Sequence, residues 1–213
     1  MPAYTTDALI LRTYKLGESD RIVVFLTRDR GKKRGVAKNA RQSRRRFGGA
    51  LEPMTYGRVG YVERERRDLV RLDYVEPVRS PMAAAHGDAL SYAGYFAELI
   101  DEWSPEADPN ETLFRLGAST VDAMAVGVPI EPLARYFEYW LLRLQGVYEA
   151  DASLSDGARV FLATARASSP FALSGVAVSR DTLRELEAAH RALIAMHLEK
   201  DLKSVRVLRE MRR

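Results

Sequence analysis

The pattern of hydrophobic and polar positions changes at residues 77–81, a segment bounded by two prolines. Before this segment, short apolar runs are separated by turn residues, as is typical of β-strands. Residues 22–26 are five apolar residues in succession, and Val70, Leu72 and Tyr74 alternate with charged neighbours. The first pattern predicts a strand that is buried on both faces. The second predicts a strand with one buried face.

We expect five strands in the first part of the chain, with a long connection between the third and the fourth. Gly57 and Gly60 in the fourth strand indicate bulges or tight curvature. This arrangement suits a small OB-type barrel, a fold that frequently binds single-stranded nucleic acid. The predicted strands are 8–11, 22–26, 34–37, 54–62 and 70–74.

After this segment apolar residues recur every three or four positions, which is the helical period. Pro81 and Ser179 indicate helix starts, since Pro is favoured at the first helical position and Ser at the N-cap. The clearest stripe lies between residues 133 and 147, and we expect its aromatic members to pack in the core. The sequence therefore predicts an α+β protein with two domains. They are an N-terminal OB-fold β-barrel in residues 1–78 and an all-helical domain in residues 79–213.

Positive charge is concentrated in residues 28–46. This segment holds ten of the 33 Lys and Arg residues and one acid, Asp29, whereas the rest of the chain has 23 basic and 28 acidic residues. Glycines within and directly after the segment predict a flexible loop. A polyanion is the natural counterpart of such a loop, and nucleic acid is the commonest one. The alternative is a solvated run of charge without a ligand.

The cations that we predict to neutralise phosphates lie in this basic loop and in the tail of the chain. Such contacts hold a nucleic acid in position without reading its bases. In the tail, ordinary solvated charge is the alternative. The predicted DNA-binding residues are Lys32, Lys33, Arg34, Lys38, Arg41, Arg44, Arg45 and Arg46 in the loop, with Lys203 and Arg206 in the tail.

The composition excludes several classes of protein. The chain has no cysteine, and therefore no disulfide, thiolate nucleophile or cysteine-ligated metal. It has no signal-peptide pattern and no apolar run long enough for a membrane helix, so we expect a cytoplasmic, nucleoid-associated protein. His190 and His197 are two helical turns apart, too far to share a metal ion without other ligands, and both are expected to be packed. With no catalytic set apparent, we predict no cofactor and no enzymatic activity.

Five short motifs are spread over most of the chain. They are ALILR at 8–12, GESDRIV at 17–23, FGGALEP at 47–53, FEYWLLRLQG at 137–146 and LKSVRVL at 202–208. In this order they resemble motifs of the bacterial recombination mediator family RecO. The resemblance implies an OB domain followed by a helical domain, in agreement with the pattern of the chain.

The resemblance also implies a function. RecO-like proteins bind single- and double-stranded DNA, anneal complementary strands and help to load RecA, and they catalyse no reaction. They work with RecR and with the acidic tail of single-stranded-DNA-binding protein. We expect the helical domain to receive that tail in an apolar groove with Arg135 and Arg143 at its rim. Two alternatives stay open: an RNA-binding OB-fold protein of the translation machinery, and a protein-interaction scaffold.

One departure from the family concerns zinc. Many relatives carry a four-cysteine zinc site after the central helix, and the corresponding residues 148–157 and 171–176 contain no cysteine. We therefore predict no metal site.

The protein is expected to fold and to bind DNA without zinc. Structural zinc sites supply folding energy, and chelators unfold the domains that depend on them. The melting temperature of the purified protein should therefore be the same with and without excess EDTA. One tightly held equivalent of zinc by elemental analysis, or a lower melting temperature after chelation, would contradict this prediction.

Overall fold

A computed structural model describes residues 2–63, 68–81, 89–149 and 153–211, apart from the side chains of Arg44 and Met211. The first part of the chain forms strands, with the short helix α1 (Arg44–Phe47) between the third and the fourth. The strands are β1 (Ala3–Leu16), β2 (Asp20–Thr27), β3 (Gly31–Ala37), β4 (Tyr56–Val62) and β5 (Val70–Arg79).

In the described residues the strands close a barrel in the order β1-β2-β3-β5-β4. Neighbouring strands are antiparallel, except that β3 and β5 are parallel. The long strand β1 pairs with β4 through its first half and with β2 through its second half, so it bends around the barrel. A bulge between Ile10 and Arg12 accompanies this bend.

Helices form the second part of the chain. Asn110, Ser155 and Ser179 each begin a helix by accepting the backbone N–H of the third residue beyond, which satisfies a donor that the helix itself leaves free. A 3₁₀ turn, Pro170–Gly175, precedes the sixth helix. These helices are α2 (Ala89–Trp103), α3 (Glu111–Ala125), α4 (Ile130–Leu144), α5 (Asp156–Ala167), α6 (Arg180–Leu198) and α7 (Lys203–Met211).

The two faces of β1 and β2 serve two hydrophobic cores. Ile10 and Phe25 point into the barrel and pack with its other strands. Leu9 and Leu26 point outward and pack with the helices, where both are 0% exposed. On α3, a Cβ at Gly117 would lie 2.5 Å from Cδ1 of Leu9, so the missing side chain lets α3 lie close to β1. The barrel therefore has a core of its own, and it shares the second core with the helices.

Polar contacts join the helices to the barrel beside this core. The carboxylate of Asp101, at the end of α2, forms two salt bridges. Its oxygens lie 2.6 Å from Nη2 of Arg12 on β1 and 2.9 Å from Nζ of Lys32 on β3. The connection between α2 and α3 follows β3, and Ala107 donates its N–H to the carbonyl of Lys32 at 2.9 Å. Gly31 has φ of 68°, and a Cβ there would lie 2.4 Å from the backbone of Asp108. Only glycine fits so close an approach.

The predicted fold class is confirmed, since an OB-type barrel is followed by helices. The domain limits 1–78 and 79–213 stay a prediction. The third strand predicted at residues 34–37 is the second half of β3, which begins at Gly31, so the basic segment is a loop only before and after this strand. Strand β1 has 14 residues instead of the predicted four, because its polar ends pair with neighbouring strands without any apolar signal. The first turns of the helix predicted to start at Pro81 fall on residues 82–88, which lie outside the described residues, and α2 is described from Ala89.

Because Leu9 belongs to the shared core, we expect Leu9→Ala to destabilise the barrel and the helices together. Truncation of a fully buried leucine costs about 2–5 kcal/mol. Tryptophan fluorescence reports the helices, because Trp103 and Trp140 lie there, and hydrogen exchange of the β2 amides reports the barrel. Both should show the same loss of stability. Leu16→Ala, at an exposed position of the same strand, should change stability by less than about 0.5 kcal/mol. Loss of stability in one part alone would show that the two cores are independent.

Candidate nucleic-acid interface

The basic residues at the start of β3 are neutralised by acids. The ammonium of Lys32 lies 2.9 Å from the carboxylate of Asp101 and 2.7 Å from its carbonyl oxygen, and the side chain is 13% exposed. This position follows from register, because Lys32 pairs with Leu26 and therefore shares the outer face that packs on the helices. Lys32 is thus held by an acid of α2, and its predicted contact with a phosphate stays a prediction.

Lys33 and Arg34 also have acidic neighbours. Lys33 Nζ lies 2.9 Å from Glu63 Oε1, and its side chain is 17% exposed. Its contact with a phosphate stays a prediction and would require Lys33 to leave this acid. Arg34 Nη1 lies 3.7 Å from Glu106 Oε1, but the Arg34 side chain stays 44% exposed. Exposed pairs of this kind contribute little to stability. Arg34 can therefore exchange its carboxylate for a phosphate at low cost.

The second half of the basic segment has a different environment. Residues 38–46 hold five basic residues and no acid. Asn39 donates its N–H to Asp20 Oδ1 at 2.8 Å, which ties the segment to the start of β2. Phe47 and Ala50, directly beyond the segment, are buried in the barrel core. The connection is therefore a folded cap on one end of the barrel.

Lys38 and Arg45 are two exposed cations of this cap. Both are exposed, and in the described part of the chain neither side chain has a hydrogen-bond or ion-pair partner. Since no acid among the described residues pairs with either side chain, an incoming phosphate displaces no such partner.

The remaining cations of the cap also support its structure. Arg41 Nη1 donates to the carbonyl of Glu18 at 3.1 Å. Arg46 Nη2 donates to the carbonyl of Lys38 at 2.8 Å, and its guanidinium lies 5.1 Å from the ring centre of Phe47. Arg44 begins α1, and its side chain lies outside the described atoms. Arg41 and Arg46 therefore combine an exposed or half-exposed charge with a role in holding the cap.

Two cations near the cap, Lys15 and Arg21, were not predicted from the sequence. Lys15 and Arg21 pair directly across β1 and β2, and Arg21 pairs in turn with Ala37 at the end of β3. Neither is next to another basic residue in the sequence, so no run of positive charge marks it. Lys15 lies two residues before the turn at residues 17–19, and Arg21 lies two residues after it. This equal spacing from a turn is the signal that could have predicted their pairing across a hairpin.

The predicted tail cations lie on α7. Glu98 of α2 caps this helix, accepting the N–H of Lys203 at 3.1 Å and of Ser204 at 2.8 Å. Lys203 is exposed, and Arg206 Nε lies 3.1 Å from Glu210 Oε1 on the surface. Their contact with DNA stays a prediction.

Arg135 differs from the predicted rim cation. Its side chain is 4% exposed, and Nη2 lies 2.9 Å from Glu138 Oε1. The reason is that α4 packs against α2, α3, α5 and α6, so the flank of its aromatic stripe is buried as well. Arg143 is exposed as predicted, with its guanidinium 5.7 Å from the ring of Tyr139 and 5.9 Å from the ring of Trp140.

A buried polar cluster surrounds Glu138. Tyr95 of α2 donates to Glu138 Oε1 at 2.7 Å, and Nδ1 of His190 on α6 lies 3.0 Å from Oε2. Burial, and then the charge of Glu138, raise the pKa of Tyr95 well above its ordinary value, so the hydroxyl stays a donor. The cluster fixes α2, α4 and α6 relative to one another. His190 is buried as predicted, but His197 is exposed.

A cavity of about 300 Å³ opens beside this cluster, between α4 and α6. Arg135 lies at its base, where Nη1 has no hydrogen-bond partner in the described residues and is 3.8 Å from Glu187 Oε2. Its other lining residues are Tyr92, Glu131, Arg180, Leu183 and Arg184. The cavity thus combines apolar side chains with arginines and two carboxylates.

No group of three or more His, Cys, Asp or Glu residues in the described ranges is arranged to hold a metal ion. A membrane-crossing helix is likewise missing from the part of the chain that the structure describes, since none is both long and apolar enough.

The closed barrel in this strand order, with helices covering part of its outer face, defines an OB-fold protein with an additional helical domain. Comparison of the sequence with protein-family models identifies a family within this class. The sequence matches the family model "Recombination protein O N terminal" over residues 1–81 and "Recombination protein O C terminal" over residues 85–148. The chain belongs to the RecO family.

Similarity to curated proteins supports the same family. The chain is 45% identical over 142 residues to the DNA repair protein RecO of Koribacter versatilis (strain Ellin345). It is 43% identical over 155 residues to that of Anaeromyxobacter sp. (strain K), and 38% identical over 147 residues to that of Geobacter metallireducens. These matches cover 66%, 71% and 68% of this chain and 58%, 61% and 59% of the relatives. The chain thus spans about three fifths of the length of the curated relatives that it matches.

Proposed function

We propose that this chain binds DNA through the cap on its barrel and acts in recombinational DNA repair. The observation that carries the proposal is the cap itself, because residues 38–46 hold five cations and no acid on a folded surface. A DNA backbone releases condensed counterions when such cations contact it, which favours binding without regard to sequence. The name of the relatives, DNA repair protein RecO, supports the same role.

The mode of binding is compatible with strand annealing. Cations that contact phosphates leave the base edges free, and they reduce the repulsion between two strands. We therefore propose that the protein binds single- and double-stranded DNA and anneals complementary strands without catalysing a reaction. As in the family that it resembles, its proposed partners are RecR and the tail of single-stranded-DNA-binding protein, and it is proposed to help the loading of RecA.

The double variant Lys38→Glu, Arg45→Glu tests this proposal. Both side chains are exposed and unpaired in the described structure, so the fold should be unchanged and affinity for single-stranded DNA should fall. The slope of log affinity against log salt should become shallower by about 1.4, because each phosphate contact on a single strand contributes about 0.7. Fluorescence anisotropy with a labelled oligonucleotide at several salt concentrations measures both quantities.

A matched control separates the cap from net charge. Arg115→Glu, Arg166→Glu makes the same change of charge at exposed positions of α3 and α5, and it should leave the salt slope unchanged. Equal effects of the two double variants would contradict binding at the cap. Tighter binding of RNA than of DNA with the same sequence would instead favour the RNA-binding alternative.

The partner tail is proposed to enter the cavity between α4 and α6. An acidic peptide with an apolar end needs cations and an apolar wall, and the cavity offers Arg180 and Arg184 beside Leu183 and Tyr92. Buried Arg135 adds a donor at its base. Arg143 lies outside the lining of this cavity and is proposed as an outer contact.

Replacement of Arg180 and Arg184 with Ser is expected to weaken binding of an acidic peptide that ends in an apolar residue. The expected loss is about 0.4–2 kcal/mol for the pair, since exposed ion pairs contribute about 0.2–1 kcal/mol each. Calorimetric titration measures it, with Arg115→Ser, Arg166→Ser as the control pair. DNA binding should be unchanged. Unaltered peptide affinity in the cavity variant would place the tail elsewhere.

A further inference from the structure

Part of the outer face of β1, β2 and β3 is left uncovered by the helices in the described part of the chain. Tyr14 of β1 pairs with Ile22 of β2, and Ile22 pairs with Val36 of β3, so the three side chains form a row across the sheet. Ile22 is two residues from Val24 on β2, so both side chains point to the same face of the sheet. Val24 packs on the helices, and the row therefore lies on the outer face of the barrel. Leu16 continues this face at the end of β1.

The row is apolar but does not belong to a core. Tyr14 is 41% exposed and Leu16 is 38% exposed, while Ile22 and Val36 are half-buried. Among the residues that the structure describes, none of the four packs against either of the two hydrophobic cores. The result is a small apolar surface with an aromatic ring on the outside of an OB-type barrel.

The ring of Tyr14 is held in place from the side. Arg12 Nη1 donates to the Tyr14 hydroxyl at 3.0 Å, and Arg12 Nη2 lies 2.6 Å from Asp101 of α2. The orientation of an exposed ring is thus linked to the interface between the barrel and the helices. Such fixation lowers the entropy that the side chain loses when a ligand packs on it.

Cations flank the row on both sides. Arg34, one step along β3, is 44% exposed, and Lys38 follows β3 at the other side. Asp20 shares this face opposite Leu16, and its carboxylate accepts the N–H of Asn39, while Glu106 lies 3.7 Å from Arg34. The flanking charges therefore favour an anionic ligand, and the row between them favours one with flat apolar faces. Single-stranded DNA has both properties.

We propose that Tyr14, with Leu16, Ile22 and Val36, is a platform on which an unpaired base of single-stranded DNA stacks while Arg34 and Lys38 contact the flanking phosphates. This inference rests on the proposed DNA binding and adds a preference to it. Bases in a duplex stack on one another and hide their faces. The platform therefore acts only on single strands, whereas the cap acts on any DNA backbone.

Tyr14→Leu tests the platform, because it keeps apolar area and removes the ring. We expect the Kd for a single-stranded oligonucleotide to rise about fivefold or more, which corresponds to the loss of one base–aromatic stack. The Kd for the duplex and the salt slope should stay at the wild-type values. Tyr14→Phe keeps the ring and should bind single strands like the wild type.

Two comparisons make the test independent of the stability of one variant. An oligonucleotide with the same backbone but no bases should bind wild-type protein and Tyr14→Leu equally, and should bind wild-type protein more weakly than the complete oligonucleotide does. Phe171→Leu, at a 44% exposed aromatic residue of the helical part, should bind single strands like the wild type.

Failure of the platform can be told apart from failure of DNA binding. If wild-type protein binds both forms of DNA and Tyr14→Leu binds single strands equally well, the platform is overturned and the cap stands. Equal losses on single strands and duplex would also overturn it, since they indicate a general role of Tyr14. Absence of salt-dependent binding by wild-type protein would overturn both proposals.

Discussion

The structure depends on one packing constraint: the outer face of β1 and β2 has to be buried against α2 and α3. Leu9 and Leu26 are 0% exposed at this contact, and without the helices they would lie on an open apolar surface. A charge that enters such a contact needs a partner, because burial of an unpaired carboxylate is costly. Asp101 meets that need with Arg12 and Lys32. Because of this packing, Arg12 on β1 and Lys32 on β3 form ion pairs within the protein.

The same constraint sorts the basic segment into structural and free charges. The acids on and between the helices face the barrel, and they take up cations at the start of the segment: Arg28 with Glu111, and Arg34 with Glu106. No acid occurs in residues 38–46, which lie at the end of the barrel where β1 and β2 turn. A run of charge that is continuous in sequence therefore has two physical roles, and only the second half has cations that are exposed without an acidic partner in the described structure.

The sequence predicted the fold class because strand and helix periods are local. It did not predict which charges are free, because this depends on contacts between distant residues. Lys32 and Asp101 are 69 positions apart, and no pattern near either one indicates the pair. Arg135 shows the same limit on a helix, since periodicity places it beside an apolar stripe but does not show that α4 is packed on several sides. Lys15 and Arg21 became neighbours only through strand register.

Helix α2 connects the two proposed sites. Glu98, Asp101 and Glu102 are spaced three and four residues apart and share one face of the helix. Glu98 caps α7, Asp101 holds β1 and β3, and Glu102 pairs with Lys200 ahead of α7. Tyr92, also on α2, lines the cavity between α4 and α6. A ligand in the cavity and a strand on the barrel therefore contact elements that one helix positions. Any energetic coupling between the two sites requires that they favour different positions of α2.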